Sequence, residues 1–338
     1  MKYRKITIAI LLVLVSVLVL QWHRLSILQA KQQVHLQTPD GLQPVQLFSF
    51  DLPYEIWFAG ERIPLEMFYI AENLERELIV NTYWHSSTML LLKRAGRWLP
   101  VIEPILEEQG VPNDLKYLCM IESNLTNTRS PAGAVGFWQF MESTAKEYGL
   151  EVNTNVDERY HLEKATRAAC RYFKKAYDKY GSWALVAAAY NAGTKRIDGF
   201  LSEQQASSYF DLLMAEETER YLFRMIAIKM IMNDPDKYGF YPLAEPQYQP
   251  LKWRTMLVVE SIPNLAEFAW SQGISYKLLK YFNPWLRSNQ LPVSSGKSYE
   301  IKIPIAPFNL THQEVQTILL NTDQEAVPIK PEIPVYDR

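Results

Sequence analysis

The chain has 338 residues, 48% of them hydrophobic, and 35 Lys and Arg stand against 37 Asp and Glu. That length supplies two or three domains and a large core. The balanced charge has no global basic excess, so nucleic acid is not an expected partner. His23, His35, His85, His161 and His312 are scattered without metal-ligand spacing, so neither a metal nor any other cofactor is expected. Cys119 and Cys170 both lie in apolar helical contexts and read as buried free thiols.

Lys2, Arg4 and Lys5 precede a charge-free apolar run over 6–20. A positive flank before an apolar run directs export or membrane insertion. No small-residue cleavage site follows, Trp22 suits the membrane interface, and the absence of a following Cys excludes a lipoprotein signal. Residues 1–22 are therefore expected to be an uncleaved anchor, with a cleaved signal as the alternative. Residues 23–60, with Pro39, Pro44 and Pro53, read as a stalk or linker.

A helical segment follows over 61–99. It comprises a helix of about 64–80, with Met67, Ile70, Ala71, Leu74 and Leu78 on one side, and another over 87–97. Pro100 and Gly110 bracket a third. Pro112 opens a fourth, in which Leu115, Leu118, Cys119 and Glu122 fall at i, i+3, i+4 and i+7, on one face. A carboxylate at the end of an apolar stripe must be exposed, paired or protonated. A loop with Ser130, Pro131, Gly133 and Gly136 comes next, and a helix is expected from near Trp138 to Gly149. Asp157-Glu158-Arg159 is placed to cap a long helix over 160–180, stopped by Gly181. The apolar stretch WALVAAAYN (183–191) and the segment 218–232 are further helices. From 61 to 241 there is almost no strand signal. Pro242, Pro246 and Pro250 then mark a linker. Beyond it a strand (255–261), two helices (265–272 and 276–282) and a strand (299–303) form a small unit. The tail, 307–338, carries one short helical pattern and ends in an extended stretch with Pro328, Pro331 and Pro334.

Several of these landmarks together resemble the soluble lytic transglycosylase family, which cleaves peptidoglycan, in its membrane-bound D-type branch. They are Glu122-Ser123, the block from Ser130 to Met141 (SPAGAVGFWQFM), Asp157-Glu158-Arg159, Tyr190-Asn191-Ala192-Gly193, and Glu217-Thr218 followed by Tyr221. The resemblance implies a mainly α protein: a lysozyme-like helical catalytic domain over 100–241 and a small α+β, LysM-like domain over 251–306. Glu142 departs from the family's Pro, and Phe137-Trp138 replaces Leu-Met, which is expected to reshape an apolar wall of the groove. Ile262-Pro-Asn-Leu265 replaces the usual Gly-Asp-Thr turn of a LysM module.

The resemblance also implies roles. Glu122 is the catalytic acid and base, its pKa raised by burial. The Tyr190 hydroxyl lies near Glu122 and orients it. Gln139 and Asn191 hydrogen-bond the sugar, and Ser123 and Ser130 line the groove. Gly133 and Gly136 let the backbone approach the glycan, and Glu217 contacts the peptide-bearing end or braces the groove. Most glycosidases use two carboxylates; the motif set supplies one. The implied reaction is non-hydrolytic cleavage between N-acetylmuramic acid and N-acetylglucosamine, leaving a 1,6-anhydromuramoyl end. The alternatives are a hydrolytic muramidase and a silent peptidoglycan-binding scaffold. Peptidoglycan glycan strands are the implied partner, and the periplasmic face of the bacterial inner membrane is the implied location.

Overall fold

The computed structural model describes residue 21, residues 49–240 and residues 247–305. The expected anchor over 6–20, the tail from 307 and most of the stalk lie outside the described residues. Among the described residues no helix is long and apolar enough to cross a membrane.

Among the described residues, part of the segment read as a stalk is regular structure. Strands β1 (Trp57–Phe58) and β2 (Glu61–Arg62) form an antiparallel hairpin. Its turn, Ala59-Gly60, has φ of 51° and 83°, the doubly left-handed backbone that a two-residue hairpin turn needs. The hairpin matters beyond itself. The Glu61 carboxylate accepts hydrogen bonds from Ser182 Oγ (3.0 Å) and the backbone N–H groups of Trp183 and Ala184, at the start of a buried helix.

Helix α1 (Phe68–Tyr83) buries Ile70, Leu74 and Leu78, as their spacing predicts. The helices expected over 87–97 and 100–110 are one element, α2 (His85–Glu108), with Pro100 and Pro104 inside it. A proline inside a helix removes a donor and crowds the carbonyl four residues back. Both prolines here are exposed, so the disturbance falls on the solvent side. The buried stripe Leu91, Leu92, Ala95, Leu99, Ile102 and Leu106 runs past them unbroken. A 3₁₀ turn (Asn113–Leu115) leads into α3 (Lys116–Ser123). Then come α4 (Glu142–Glu147), α5 (Leu162–Tyr180), α6 (Trp183–Ala192), the unforeseen α7 (Thr194–Glu203) and α8 (Glu216–Asn233). No helix starts at Trp138. That residue sits in a tight turn between bridges pairing Val135 with Arg129 and Phe140.

The core gathers on α8, which packs against α1, α3 and α6. Nine of its residues are buried, including Tyr221, Leu222, Phe223, Met225 and Ile226. Its middle, 221–228, is buried on every side but that of Arg224, so this stretch lies inside the fold. α6 is buried continuously from Trp183 to Ala189; its alanines let neighbouring helices approach closely. Cys119 and Cys170 are both buried free thiols.

A second core forms around β3 (Trp253–Val258), α9 (Leu265–Ser271), α10 (Tyr276–Phe282) and β4 (Tyr299–Pro304). β3 and β4 pair antiparallel from Trp253↔Pro304 to Val258↔Tyr299. Asn283 is fully buried. Its amide donates to the carbonyls of Leu279 (2.9 Å) and Lys302 (2.7 Å) and accepts from Lys302 N–H (2.8 Å), which ties α10 to β4. This unit docks on the helical part by main-chain pairing. Asp157 N–H donates to Trp285 O (2.9 Å), Arg287 N–H donates to Asn155 O (2.8 Å), and Val156 inserts into the second core.

An ion pair between Lys302 on β4 and Glu163 on α5 closes the same contact. Burial alone would raise the Glu163 carboxyl, but the His161 ring and the Lys302 ammonium outweigh it and hold its pKa at about 2, below its ordinary 4.5. A depressed carboxylate contributes stability above its unfolded pKa and loses it as pH falls through the folded value. The contact is therefore expected to loosen between roughly pH 4.5 and 2. Tryptophan fluorescence, which Trp253 and Trp285 report, should show this acid transition in the native chain, and Glu163→Gln should lack that part of the pH dependence.

Candidate active site

α3 delivers Glu122 to the end of its buried face. Leu115, Leu118 and Cys119 are fully buried, whereas Glu122 is half-buried. The chain then turns sharply, because Asn124 and Leu125 are both left-handed, at φ 52° and 53°. Asn tolerates that conformation; Leu pays steric strain for it. Surrounding contacts hold the turn. Asn124 Nδ2 donates to Ser87 Oγ (3.1 Å), Arg94 donates to the Asn124 carbonyl (3.2 Å), and the Leu125 side chain is buried. The helix thus stops one turn short of covering its carboxylate.

Glu122 lines a cavity of about 290 Å³ together with Trp84, Ser123, Thr126, Thr128 and Arg224. The Tyr221 hydroxyl, presented by α8, donates to Glu122 Oε1. One turn further along α8, Arg224 donates to the Ile121 carbonyl (3.3 Å). Burial pushes the Glu122 carboxyl above the ordinary carboxylate value. The Tyr221 hydrogen bond and the Arg224 charge pull it back, and the charge of Glu217 adds to the rise. The Tyr221 hydroxyl is itself pushed well above the ordinary phenol value, first by burial and then by the Glu122 charge. It stays protonated and remains a donor.

Burial first, and then the nearby Glu122 charge, push the Tyr190 hydroxyl well above the ordinary phenol value, so it lies near the acid as expected. It donates to the Trp138 carbonyl (2.6 Å), and Tyr221 holds Glu122 instead. Tyr221 reaches Glu122 because α8 packs against α3, which the sequence order of the motifs does not reveal. Tyr221 carried a visible signal, its place in the Glu217-Thr218…Tyr221 motif. Tyr190 lines a separate hollow of about 340 Å³ with Gln139, Phe140, Thr144 and Tyr172.

The loop from Ser130 to Phe140 is built from internal contacts. Ser130 Oγ accepts from Ala134 N–H (3.0 Å). Gln139 is left-handed (φ 49°), and its amide donates to the carbonyls of Gly136 (2.7 Å) and Thr128 (3.2 Å). Gly136 has φ 82°, and a Cβ there would lie 2.0 Å from the Arg159 carbonyl. The space a Cβ would take at Gly136 is therefore filled by the protein's own backbone. Trp138 is fully buried, with its indole N–H donating to Thr166 Oγ1 (2.9 Å) and its ring edge-on to Phe173. It belongs to the core and not to a groove wall. Ser123 is buried, with its hydroxyl donating to the Cys119 carbonyl (3.1 Å) inside its own helix. Asn191 Oδ1 accepts from Thr218 Oγ1 (2.9 Å). Glu217 is exposed in the first turn of α8 and reaches Glu122 through its charge.

Arg159 locks this loop. It pairs with Asp157 through Nε (2.9 Å) and Nη2 (2.8 Å), and its Nη1 donates to the carbonyls of Gly133 (3.3 Å) and Phe140 (3.2 Å). Both partners are buried.

Residues 100–212 match the model of the Transglycosylase SLT domain, and residues 254–306 match the Soluble lytic transglycosylase C-terminal LysM-like domain. The SLT match encloses Glu122, the glycine loop, Arg159 and Tyr190, while Tyr221 lies beyond its end. Membrane-bound lytic murein transglycosylase D of Escherichia coli K12 is 27% identical over 255 residues, covering 72% of this chain and 55% of that protein. The protein of the same name from E. coli O6:H1 gives the same figures. The chain thus spans about half the length of these relatives. An inactive mutant of lytic transglycosylase Slt from Pseudomonas aeruginosa overlaps 44% of this chain and 24% of its own, at 19% identity and TM-score 0.35.

Two outcomes follow for this site. Tyr221→Phe removes an interaction that lowers the Glu122 pKa, so the carboxyl should titrate at higher pH than in the native chain, as carbon-detected NMR of the labelled Glu carboxyl would read. Gly136→Ala must move the Arg159 carbonyl and hold Ala at positive φ, so it should cost roughly 2–4 kcal/mol of stability in urea unfolding.

Proposed function

We propose that this chain is a peptidoglycan lytic transglycosylase. In this reading it cleaves the β-1,4 bond between N-acetylmuramic acid and N-acetylglucosamine without consuming water and leaves a 1,6-anhydromuramoyl end. One observation carries the proposal: Glu122 is the only carboxylate, among the described residues, lining its cavity. A two-carboxylate glycosidase needs a second carboxyl group across the scissile bond. With one, the substrate's own N-acetyl group takes the place of the second in stabilising the oxocarbenium-like transition state.

Glu122 must then act twice. It begins protonated, favoured by its burial, and gives its proton to the bridging oxygen as the bond to C1 breaks. As a carboxylate it next takes the proton of the muramic acid C6 hydroxyl, whose oxygen closes onto C1. Atoms and charge balance, and Glu122 ends protonated as it began. Tyr221 and Arg224 suit the second role. They stabilise the carboxylate and so oppose the rise that burial causes. Tyr221 is a positioning residue for Glu122. Gln139, Tyr190, Asn191, Ser130 and Glu217 complete the proposed glycan-binding set, with Ser123 and Gly136 shaping its backbone. The same reading gives peptidoglycan strands as the partner, a lysozyme-like assignment for the helical domain, and residues 1–22 as a membrane anchor that leaves the domain in the periplasm.

Digestion of purified peptidoglycan followed by mass spectrometry tests the reaction. Anhydro-ended fragments are expected, and reducing ends would instead mean hydrolysis. Glu122→Gln should lose at least a hundredfold in kcat, in line with removal of a general acid, while still binding sacculi. Retained cleavage by that variant would overturn the assignment.

A further inference from the structure

A second cavity lies beside the one that holds Glu122. It encloses about 360 Å³, a volume within the range of small-ligand sites. Its inner wall comes from α2, through Arg94, Arg97 and Trp98, and from Leu125, Thr126 and Asn127, the loop that follows Glu122. Its outer wall comes from the LysM-like domain, through Trp253, Tyr281, Trp285 and Lys302. Thr126 lines both this cavity and that of Glu122. The two cavities therefore adjoin at Thr126, on the chain that follows the acid.

The chemistry of the walls is specific. Aromatic side chains from both domains line the space, and apolar ring surface of this kind packs against the apolar faces of saccharides. Three cationic side chains, Arg94, Arg97 and Lys302, line it against one carboxylate, Glu163. Two of the cations are held over rings of the second unit and of the irregular segment that precedes it. Lys302 Nζ lies 4.4 Å from the Trp253 ring centre, and the Arg97 guanidinium lies 5.2 Å from that of Tyr248. Arg97 also donates to Tyr281 Oη (3.2 Å) and the Gln249 carbonyl (3.0 Å). The positive balance selects a saccharide bearing carboxylates over a neutral one.

We propose that this cavity is a distal subsite for peptidoglycan, in which the LysM-like domain supplies one wall. It takes sugar rings, with their carboxylate-bearing peptide stems, that lie several units from the bond at Glu122. The inference rests on the glycan-cleaving reading above and adds to it. The second domain extends the groove of the first and is no separate tether.

The test uses the full chain carrying Glu122→Gln, so that binding is read without turnover. Peptide-bearing glycan chains of four and of eight sugars are titrated calorimetrically. In that background Arg97→Ala and Trp253→Ala should each weaken the eight-sugar chain about tenfold, a change of about 1.4 kcal/mol, and leave four-sugar affinity unchanged. Asn127→Trp, an exposed position at the passage between the cavities, should do the same by obstruction without touching the aromatic wall. Equal losses for both lengths, or no loss with any variant, would overturn the subsite. The two readings fail separately. A Glu122-containing chain that cleaves nothing, while length-dependent binding persists, sinks only the catalytic reading. Cleavage without length dependence sinks only the subsite.

Discussion

The buried pair of Asp157 and Arg159 is the contact on which the other parts of the molecule converge. The Arg159 guanidinium holds the carbonyls of Gly133 and Phe140, and its own carbonyl occupies the space that only glycine leaves at position 136. Two residues earlier, Asp157 N–H and the backbone of Asn155 pair with the LysM-like unit. One short segment therefore sets the shape of the loop near the acid and the seat of the second domain. A buried ion pair is weak evidence of net stability, but loss of one partner leaves an uncompensated charge and costs about 3–5 kcal/mol. The hydrogen bonds from Arg159 to main-chain carbonyls are what make this burial tolerable.

The chemistry depends on a balance of opposed effects on one carboxyl group. Burial at the end of α3 favours the proton, and Tyr221 with Arg224 favours its departure. Neither effect belongs to α3. The first comes from closure of the surrounding helices, and the second from α8, a hundred residues further along the chain. The tight turn at Asn124 and Leu125 leaves the carboxylate facing a cavity and not another turn of helix. Strain at Leu125 is held by burial of its side chain, a cost commonly met at functional sites.

Much of the architecture was legible because its signals are local. Apolar spacing marked α1, α3 and α8, an unbroken apolar stretch marked α6, and α5 was bracketed by Asp157-Glu158-Arg159 and by Gly181, which stops it in a left-handed cap. The β-α-α-β order of the second unit followed from composition and Asn283-Pro284. Misreadings arose where distant packing overrode a local rule. Pro100 argued for a helix start and became a helix interior, because the stripe beneath it was already committed to the core. Trp138 argued for a helix and became a buried turn residue, since its indole reaches Thr166 on α5. The hairpin at Trp57–Arg62 is too short to register as periodicity and is stabilised by what Glu61 does for α6.

The candidate site divides along the same line. The sequence by itself determined that Glu122 closes an apolar stripe before a glycine-containing loop, and that a single acid stands in this motif set, because residue type and helical spacing are properties of the chain. Only the tertiary structure decided which hydroxyl holds that acid, what presses on Gly136, and that the second domain shares a cavity with the first. Those are relations between segments far apart in sequence. They depend on how α8, Arg159 and the LysM-like strands are brought together by burial, which no local pattern encodes.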